Sequence, residues 1–379
     1  IHYELTMVSC DVQMPTASSY LGCLLFLVLA NVLLAVAGVM SWYSRRSATL
    51  WPLQWAVSII VLGYAPFPLD SYLDAAGVYT YFGTGVVMLC RFIAGSLAFI
   101  GMFRVLEAMA GEAPPDTVQD LPSWINYLTS VDARRGPDKR ALKAPPGALL
   151  PAVGLVLSRF ALLSVSYSLL ASSGDGRYTP FANAAGTSSA ALHSLAVWTD
   201  NWVSCVVIYL FLALIIDVGG AIVLAQGVDP IVSFNNPIFG STSPTDMWGK
   251  RWNMQMHGVL KRSCFLPLVK RGAGKTAAGF STFVASALYH ELQFGLSFPS
   301  RYTWGRASTF FVLQGVLCAA ESVLSSAAPS LGSSVPLPLK RAATTVLMIA
   351  TSELFVSIWR EGGMFDAIGT LIATVSCAA

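Results

Sequence analysis

Among residues able to do chemistry, one adjacent pair sits in an unusually apolar setting. The stretch FVASALYHEL, residues 283–292, sets His290 beside Glu291, with Phe280, Phe283 and Leu288 before the pair and Phe294, Leu296 and Phe298 after it. An imidazole is the commonest side chain for general acid–base work. If the run crosses a bilayer, a charge there costs at least a few kcal/mol, so the pair needs a reason to exist. At helical spacing His290 shares its face with Phe283, Ser286, Ala287, Gln293, Phe294 and Ser297, small and polar side chains among them. That face leaves room for a substrate to reach the ring. The plainer alternative is a histidine hydrogen-bonded only for helix packing. Glu291 points about 100° away around the helix, so it is expected to pair with an arginine or cap a neighbouring helix.

A second stretch, STSPTDMWGKRWNMQMHGVLKR (241–262), opens with a helix-start signal: Ser243 as cap, Pro244 at the first position, Asp246 in the first turn. The spacing predicts one amphipathic helix over 244–262. One face carries Trp248, Trp252, Met256 and Val259, and another carries Lys250, Asn253, His257 and Lys261. Such a helix is either an interfacial anchor or a holder for an anionic head group near the membrane surface.

Other motifs fail on inspection. GAGKT (272–276) lacks the glycine that a phosphate loop needs, Val269 standing in its place, and it leads into an apolar run. The pair at 290–291 is no zinc-protease motif, because Phe294 occupies the position of the second histidine. His2 is terminal, His193 begins an apolar run, and the seven cysteines are scattered without C-x-x-C spacing. No metal site and no disulfide framework are expected. A net charge of +3 gives no reason to expect nucleic acid.

The elements that would position these residues follow from composition. Hydrophobic residues make up 55% and charged residues only 11% of 379, with mean hydropathy +0.62. A soluble chain carries roughly 25% charged residues. Apolar runs near the ~20-residue spanning length lie at about 20–40, 50–69, 79–103, 148–171, 192–225, 277–298, 304–326 and 342–359, with a weaker one at 363–379. The expected fold is therefore an all-α polytopic membrane protein with about 8–9 transmembrane helices, a single membrane-embedded domain over 1–379. Basic clusters follow every odd-numbered run: Arg45 and Arg46; Arg134 to Lys143; Lys250 to Lys275; Lys340 and Arg341. The positive-inside rule then places these loops in the cytosol and the N-terminus on the other side. The two sizeable cytosolic segments are about 104–147, where LPSWINYLTSV should form a short amphipathic helix, and 227–276; the stretch 325–340 is expected as a flexible loop. Mid-run Arg91 and Arg159 are expected to pair with buried acids such as Asp217, Glu321 or Glu353.

Three stretches in order, SPTDMWGKRWNMQMHGVLKRSCFLPL, GFSTFVASALYHEL and TWGRASTFFVLQGVLCAAE, resemble the wax-synthase branch of the membrane-bound O-acyltransferase superfamily. The resemblance is specific across about 240–322. It departs from the family pattern at Met247, where the family has Phe, and at Gln314, where it has His. The resemblance implies helices of that superfamily's type around a central reaction chamber. It implies acyl transfer from acyl-CoA to the hydroxyl of a long-chain alcohol, with a sterol or diacylglycerol as other acceptors. It further implies integral residence in the endoplasmic reticulum membrane and no cofactor beyond acyl-CoA as co-substrate. His290 would be the general base and Asn253 a donor to the oxyanion. A neutral imidazole suits an apolar site because burial disfavours the charged form. Trp248, Lys250, Arg251, Trp252, His257, Lys261, Arg262, Ser286 and Gln314 would contact substrate, the cations holding the phosphates of CoA. A non-catalytic membrane subunit or lipid carrier on the same scaffold is the rival reading. Membrane lipids are the expected surroundings, and the sequence leaves the oligomeric state open.

Overall fold

The computed structural model describes residues 9–45, 72, 74–171, 178–184, 195–298, 301–328 and 334–378. The long helices are α1 (Ala17–Ser44), α2 (Thr84–Met109), α4 (Leu149–Ala171), α5 (Leu195–Ala225), α9 (Lys275–Ser297), α10 (Arg306–Ala327) and α11 (Leu337–Gly362). Short helices between them include α3 (Leu121–Thr129), α6 (Pro244–Lys250), α7 (Met254–Leu260) and α8 (Leu266–Lys270), and α12 (Met364–Gly369) follows the last. Two strands, β1 (Ser9–Gln13) and β2 (Thr374–Ala378), pair antiparallel with Ser9 opposite Ala378.

Six described helices, α1, α2, α4, α5, α10 and α11, are long and apolar enough to cross a bilayer. Outer surfaces of α1 and α4 carry exposed Leu24, Val28, Leu157 and Val165, as lipid-facing helices should, because lipid leaves no reason to hide apolar side chains. The chain is thus a polytopic helical membrane protein. The helix that carries His290, α9, is not among the six: Ser281, Thr282, Ser286, His290, Glu291, Gln293 and Ser297 dilute its hydropathy. It packs between α2 and α10 instead, where Gln293 bonds α2 and Glu291 bonds α10, while Ser281, Thr282, Ser286, His290 and Ser297 bond within their own helix. The expected run at 50–69 lies outside the described residues, as do His2 and His193.

Two sequence expectations need correction. The run at 363–379 is no membrane span. Gly363 takes a left-handed conformation (φ +81°) that ends α11, α12 lasts only six residues, and Thr374–Ala378 is extended. β-Branched Thr374 and Val375 suit a strand, and a chain this short between breaks cannot span. The all-α description therefore gains a two-stranded sheet. The loop expected over 325–340 is also shorter, because α10 continues to Ala327 and α11 starts at Leu337.

The main core lies where α2, α4, α5, α9, α11 and α12 converge, with Phe92, Leu163, Phe211, Phe294, Trp359 and Phe365 all buried. At one point α2 and α9 come unusually close. A side chain at Gly95 would meet Oε1 of Gln293 at 2.6 Å, so the glutamine amide would have to shift to admit one. Gln293 in turn donates to the Phe92 carbonyl and to Ser96 Oγ (3.1 Å). Arg159 pairs with Asp217 (2.5 Å), tying α4 to α5 as expected, whereas Glu353 is taken by Arg360 (3.0 Å) on its own helix. The amphipathic helix expected around Trp124 forms as α3, capped by Asp120, and Trp124 Nε1 donates to Ser41 Oγ of α1 (2.9 Å).

Candidate active site

Asn253 owes its placement to a break in what the sequence predicts as one helix. Ser243 caps α6 as expected, accepting from Asp246 N at 3.1 Å, with Pro244 and Asp246 in the first turn. After Lys250 the helix stops. Asn253 adopts a left-handed backbone (φ 43°, ψ 63°), and its Oδ1 accepts Met256 N at 3.3 Å to start α7. Asparagine tolerates that region better than most residues because its short amide bonds locally. The single 244–262 helix is therefore corrected to two short helices meeting at Asn253. A π-helical segment, Lys261–Phe265, follows α7; such segments often re-aim side chains at functional sites. Backbone bonds Asn235 N to Arg251 O (2.9 Å) and Met254 N to Ser233 O (2.8 Å) fasten the break to the preceding loop.

His290 is oriented from its own helix. Its Nδ1 lies 2.7 Å from the Ser286 carbonyl and 3.3 Å from Ser286 Oγ. A carbonyl can only accept, so Nδ1 carries the proton and Nε2 presents a lone pair. Rings enclose the imidazole: Phe311 stacks on it at 4.0 Å, Tyr289 meets it edge-on at 4.4 Å, and Phe294 and Phe355 stand at 5.9 Å. Its neighbour Glu291 faces elsewhere, as its helical angle requires. That carboxylate accepts Gly305 N (2.9 Å), Ser308 N (2.7 Å) and Tyr302 OH (2.9 Å), capping α10.

Trp248, Trp252, Asn253, His257, Lys261, Ser286 and His290 border one cavity of about 1190 Å³. The structure thus brings both expected catalytic residues, and five of the nine expected substrate contacts, to a single chamber. For His257, burial first and then the charge of Lys261 push the pKa below the usual imidazole value.

Four expected substrate contacts lie elsewhere. Lys250 is exposed and away from the cavity. Arg251 donates to Asp246 (2.6 Å) and to the Asn235 carbonyl (3.2 Å), bracing the break. Burial pushes the Asp246 carboxyl up, but the bonds from Arg251 and Thr242 outweigh it and leave its pKa lowered. Arg262 binds Glu107 (2.9 Å) and Asp132 (2.7 Å), both fully buried. Gln314 is fully buried too, accepting from Trp248 Nε1 (3.2 Å) and donating to Thr351 Oγ1 (3.0 Å). Charge and amide chemistry alone could not separate these supporting roles from substrate contact. Sequence reasoning also missed Glu107, Asp132 and Gln255, whose Oε1 accepts Asp132 N at 2.7 Å. The available signal was Glu107 just past the apolar run at 79–103; Asp132, in a polar loop, and Gln255 carried none. Among the described residues no cluster of metal-ligating side chains occurs.

No family model matches the chain. Curated relatives do. The chain is 33% identical over 127 residues to Probable long-chain-alcohol O-fatty-acyltransferase 1 of Arabidopsis thaliana, covering 31% of this chain and 36% of that protein. It is 33% identical over 109 residues to the long-chain-alcohol O-fatty-acyltransferase of Simmondsia chinensis (27% and 30%). It is 31% identical over 123 residues to acyl-CoA–sterol O-acyltransferase 1 of Arabidopsis thaliana (30% and 34%). Each match spans about a third of the relative's length. The chain is therefore similar to wax synthases and to a sterol acyltransferase, as its motifs suggest.

Proposed function

We propose that this protein is an acyl-CoA-dependent O-acyltransferase that forms wax esters from long-chain alcohols. It would work in the endoplasmic reticulum membrane with its basic loops in the cytosol. One observation carries the reading: a histidine whose Nδ1 is committed to a backbone carbonyl borders the same large, aromatic-walled cavity as an asparagine amide.

An alcohol hydroxyl is a poor nucleophile near neutral pH. In this mechanism Nε2 of His290 takes its proton as the oxygen attacks the thioester carbonyl. The tetrahedral oxyanion accepts a hydrogen bond from the Asn253 amide NH₂, whose Oδ1 is already occupied in capping. Collapse breaks the carbon–sulfur bond, and the leaving thiolate takes the proton back from the imidazolium. Ester and free CoA result, with no change in oxidation state. Apolar walls keep water out and suppress hydrolysis of the thioester. Lys261 is the one expected CoA contact that borders the cavity, where its ammonium can meet a phosphate. Similarity to a sterol acyltransferase at 31% identity supports a second acceptor class on the same mechanism.

The test is an assay of the purified protein with labelled acyl-CoA against long-chain alcohols, sterols and diacylglycerol, repeated for His290→Ala. Ester should form in the wild type. The variant should lose on the order of 10²–10⁴-fold in turnover while eluting as the wild type does in detergent. Activity retained in His290→Ala would remove the assignment of the base, and a wild type without ester product would favour a non-catalytic lipid-binding subunit.

A further inference from the structure

Resting on the acyltransferase reading, we propose that Gln314 is a positioning residue that sets the width of the chamber at His290 and so selects an unbranched alkyl alcohol over a fused-ring one. Gln314 does not border the cavity, yet it holds a wall that does. Its amide bridges three helices: Oε1 accepts the indole N–H of Trp248 on α6, and Nε2 donates to Thr351 on α11, while Gln314 itself sits on α10. The side chain is fully buried, so neither bond competes with water, and each loses a buried partner if the other end is removed.

The indole held this way packs on Phe283, Phe310 and Phe311 at centroid distances of 6.1, 6.2 and 6.1 Å. Phe311 is the ring stacked on His290 at 4.0 Å. A bond at Gln314 therefore reaches the base through two aromatic contacts. The next residue, Gly315, reinforces the closeness: a side chain there would meet Phe283 Cβ at 2.9 Å and Phe280 at 3.0 Å. Trp248, Phe283, Phe310 and Phe311 all border the cavity that His290 borders. A flexible alkyl chain bends along that wall, whereas a rigid fused-ring alcohol needs the indole to move.

Any group offering one acceptor and one donor on opposite sides can replace the amide. A neutral imidazole does so; leucine, similar in volume, does not. The experiment measures initial rates of the detergent-purified protein with labelled acyl-CoA and either hexadecanol or cholesterol, for wild type, Gln314→Leu, Gln314→His and Thr351→Val. The wild type should prefer hexadecanol. In Gln314→Leu the hexadecanol-to-cholesterol ratio should fall on the order of tenfold, the scale at which apolar pockets discriminate. Gln314→His should keep the wild-type ratio. If Gln314→Leu does not accumulate, Thr351→Val carries the test, with a fall in the same ratio expected. An unchanged ratio in the leucine or valine variant, or an equal loss with both acceptors, would overturn the inference alone. No ester from the wild type with any acceptor would overturn the acyltransferase reading and this inference with it.

Discussion

Asn253 caps α7 through Oδ1, at 3.3 Å from Met256 N, and holds a left-handed backbone while doing so. Its NH₂ end is what it can offer the cavity it borders. Aspartate would keep the capping oxygen and the tolerance for this backbone, but not the donor. Asn253→Asp should therefore lose on the order of 10²–10³-fold in kcat with little change in thermal unfolding. Asn253→Ala should add a loss of about 1 kcal/mol for the missing cap. Steady-state kinetics beside a thermal melt separates the two roles, and an aspartate variant with full kcat would show that the donor is not used. The place of His290 on the cavity was legible because motif and helical angle both point to it, and Glu291 followed from the same angle. The capping role of Asn253 Oδ1 was not legible. On a continuous helix Asn253, His257 and Lys261 share one face, and no glycine or proline stands at Arg251–Asn253, where the helix breaks.

At the scale of elements, adjacent Lys261 and Arg262 have opposite fates. The π-helical segment sends Lys261 to the cavity and Arg262 into a buried cluster with Glu107, Asp132 and the Tyr127 hydroxyl. Tyr127 also donates to Glu107, and Arg135 reaches Asp132. This cluster joins α2, α3 and the loop after α3 to the base of the candidate site. Removing one member of a buried ion pair leaves a charge without a partner, at a cost of about 3–5 kcal/mol. Arg262→Ala should therefore lower the unfolding temperature sharply, whereas Lys261→Ala should leave it near wild type and raise the KM for acyl-CoA more than that for the alcohol. The reverse pattern would exchange their roles. Asp132 adds a pH dependence. Burial raises its pKa, but Arg262, Arg135 and Arg104 outweigh burial and leave it lowered. A carboxylate with a lowered folded pKa stabilises the fold above its unfolded value, about 3.9, and that contribution is lost as pH falls through the folded value. Stability from this group should thus be complete above about pH 5 and decline on the acid side. Sequence could count the cations here but not tell which of them neutralise buried acids, because that depends on partners over a hundred positions away.

For the whole molecule, sidedness is the property that contacts and charge constrain together. The two basic segments meet: Ala133 pairs with Pro230, Lys143 with Val228, and Lys270 bonds Glu112. They therefore lie at one end of the bundle, as the even number of crossings made by α4 and α5 requires. The C-terminal end of α1 joins them there through Ser41 and Trp124, beside Arg45 and its cation–π contact with Trp42. β1 precedes α1, and β2 follows α11 and α12, so their pairing closes the opposite end. If the positive loops face the cytosol, as proposed above, the whole assembly is oriented. An epitope inserted in the exposed turn at 137–139 should be cleaved by added protease in sealed endoplasmic-reticulum vesicles. One inserted at the exposed Ala75–Ala76, ahead of α2, should survive until detergent opens the vesicles. Cleavage in the opposite order would invert the protein and place its Lys261 side away from the cytosolic acyl-CoA pool. Protection of both, or cleavage of both, would break the link between crossing number and charge on which the orientation rests.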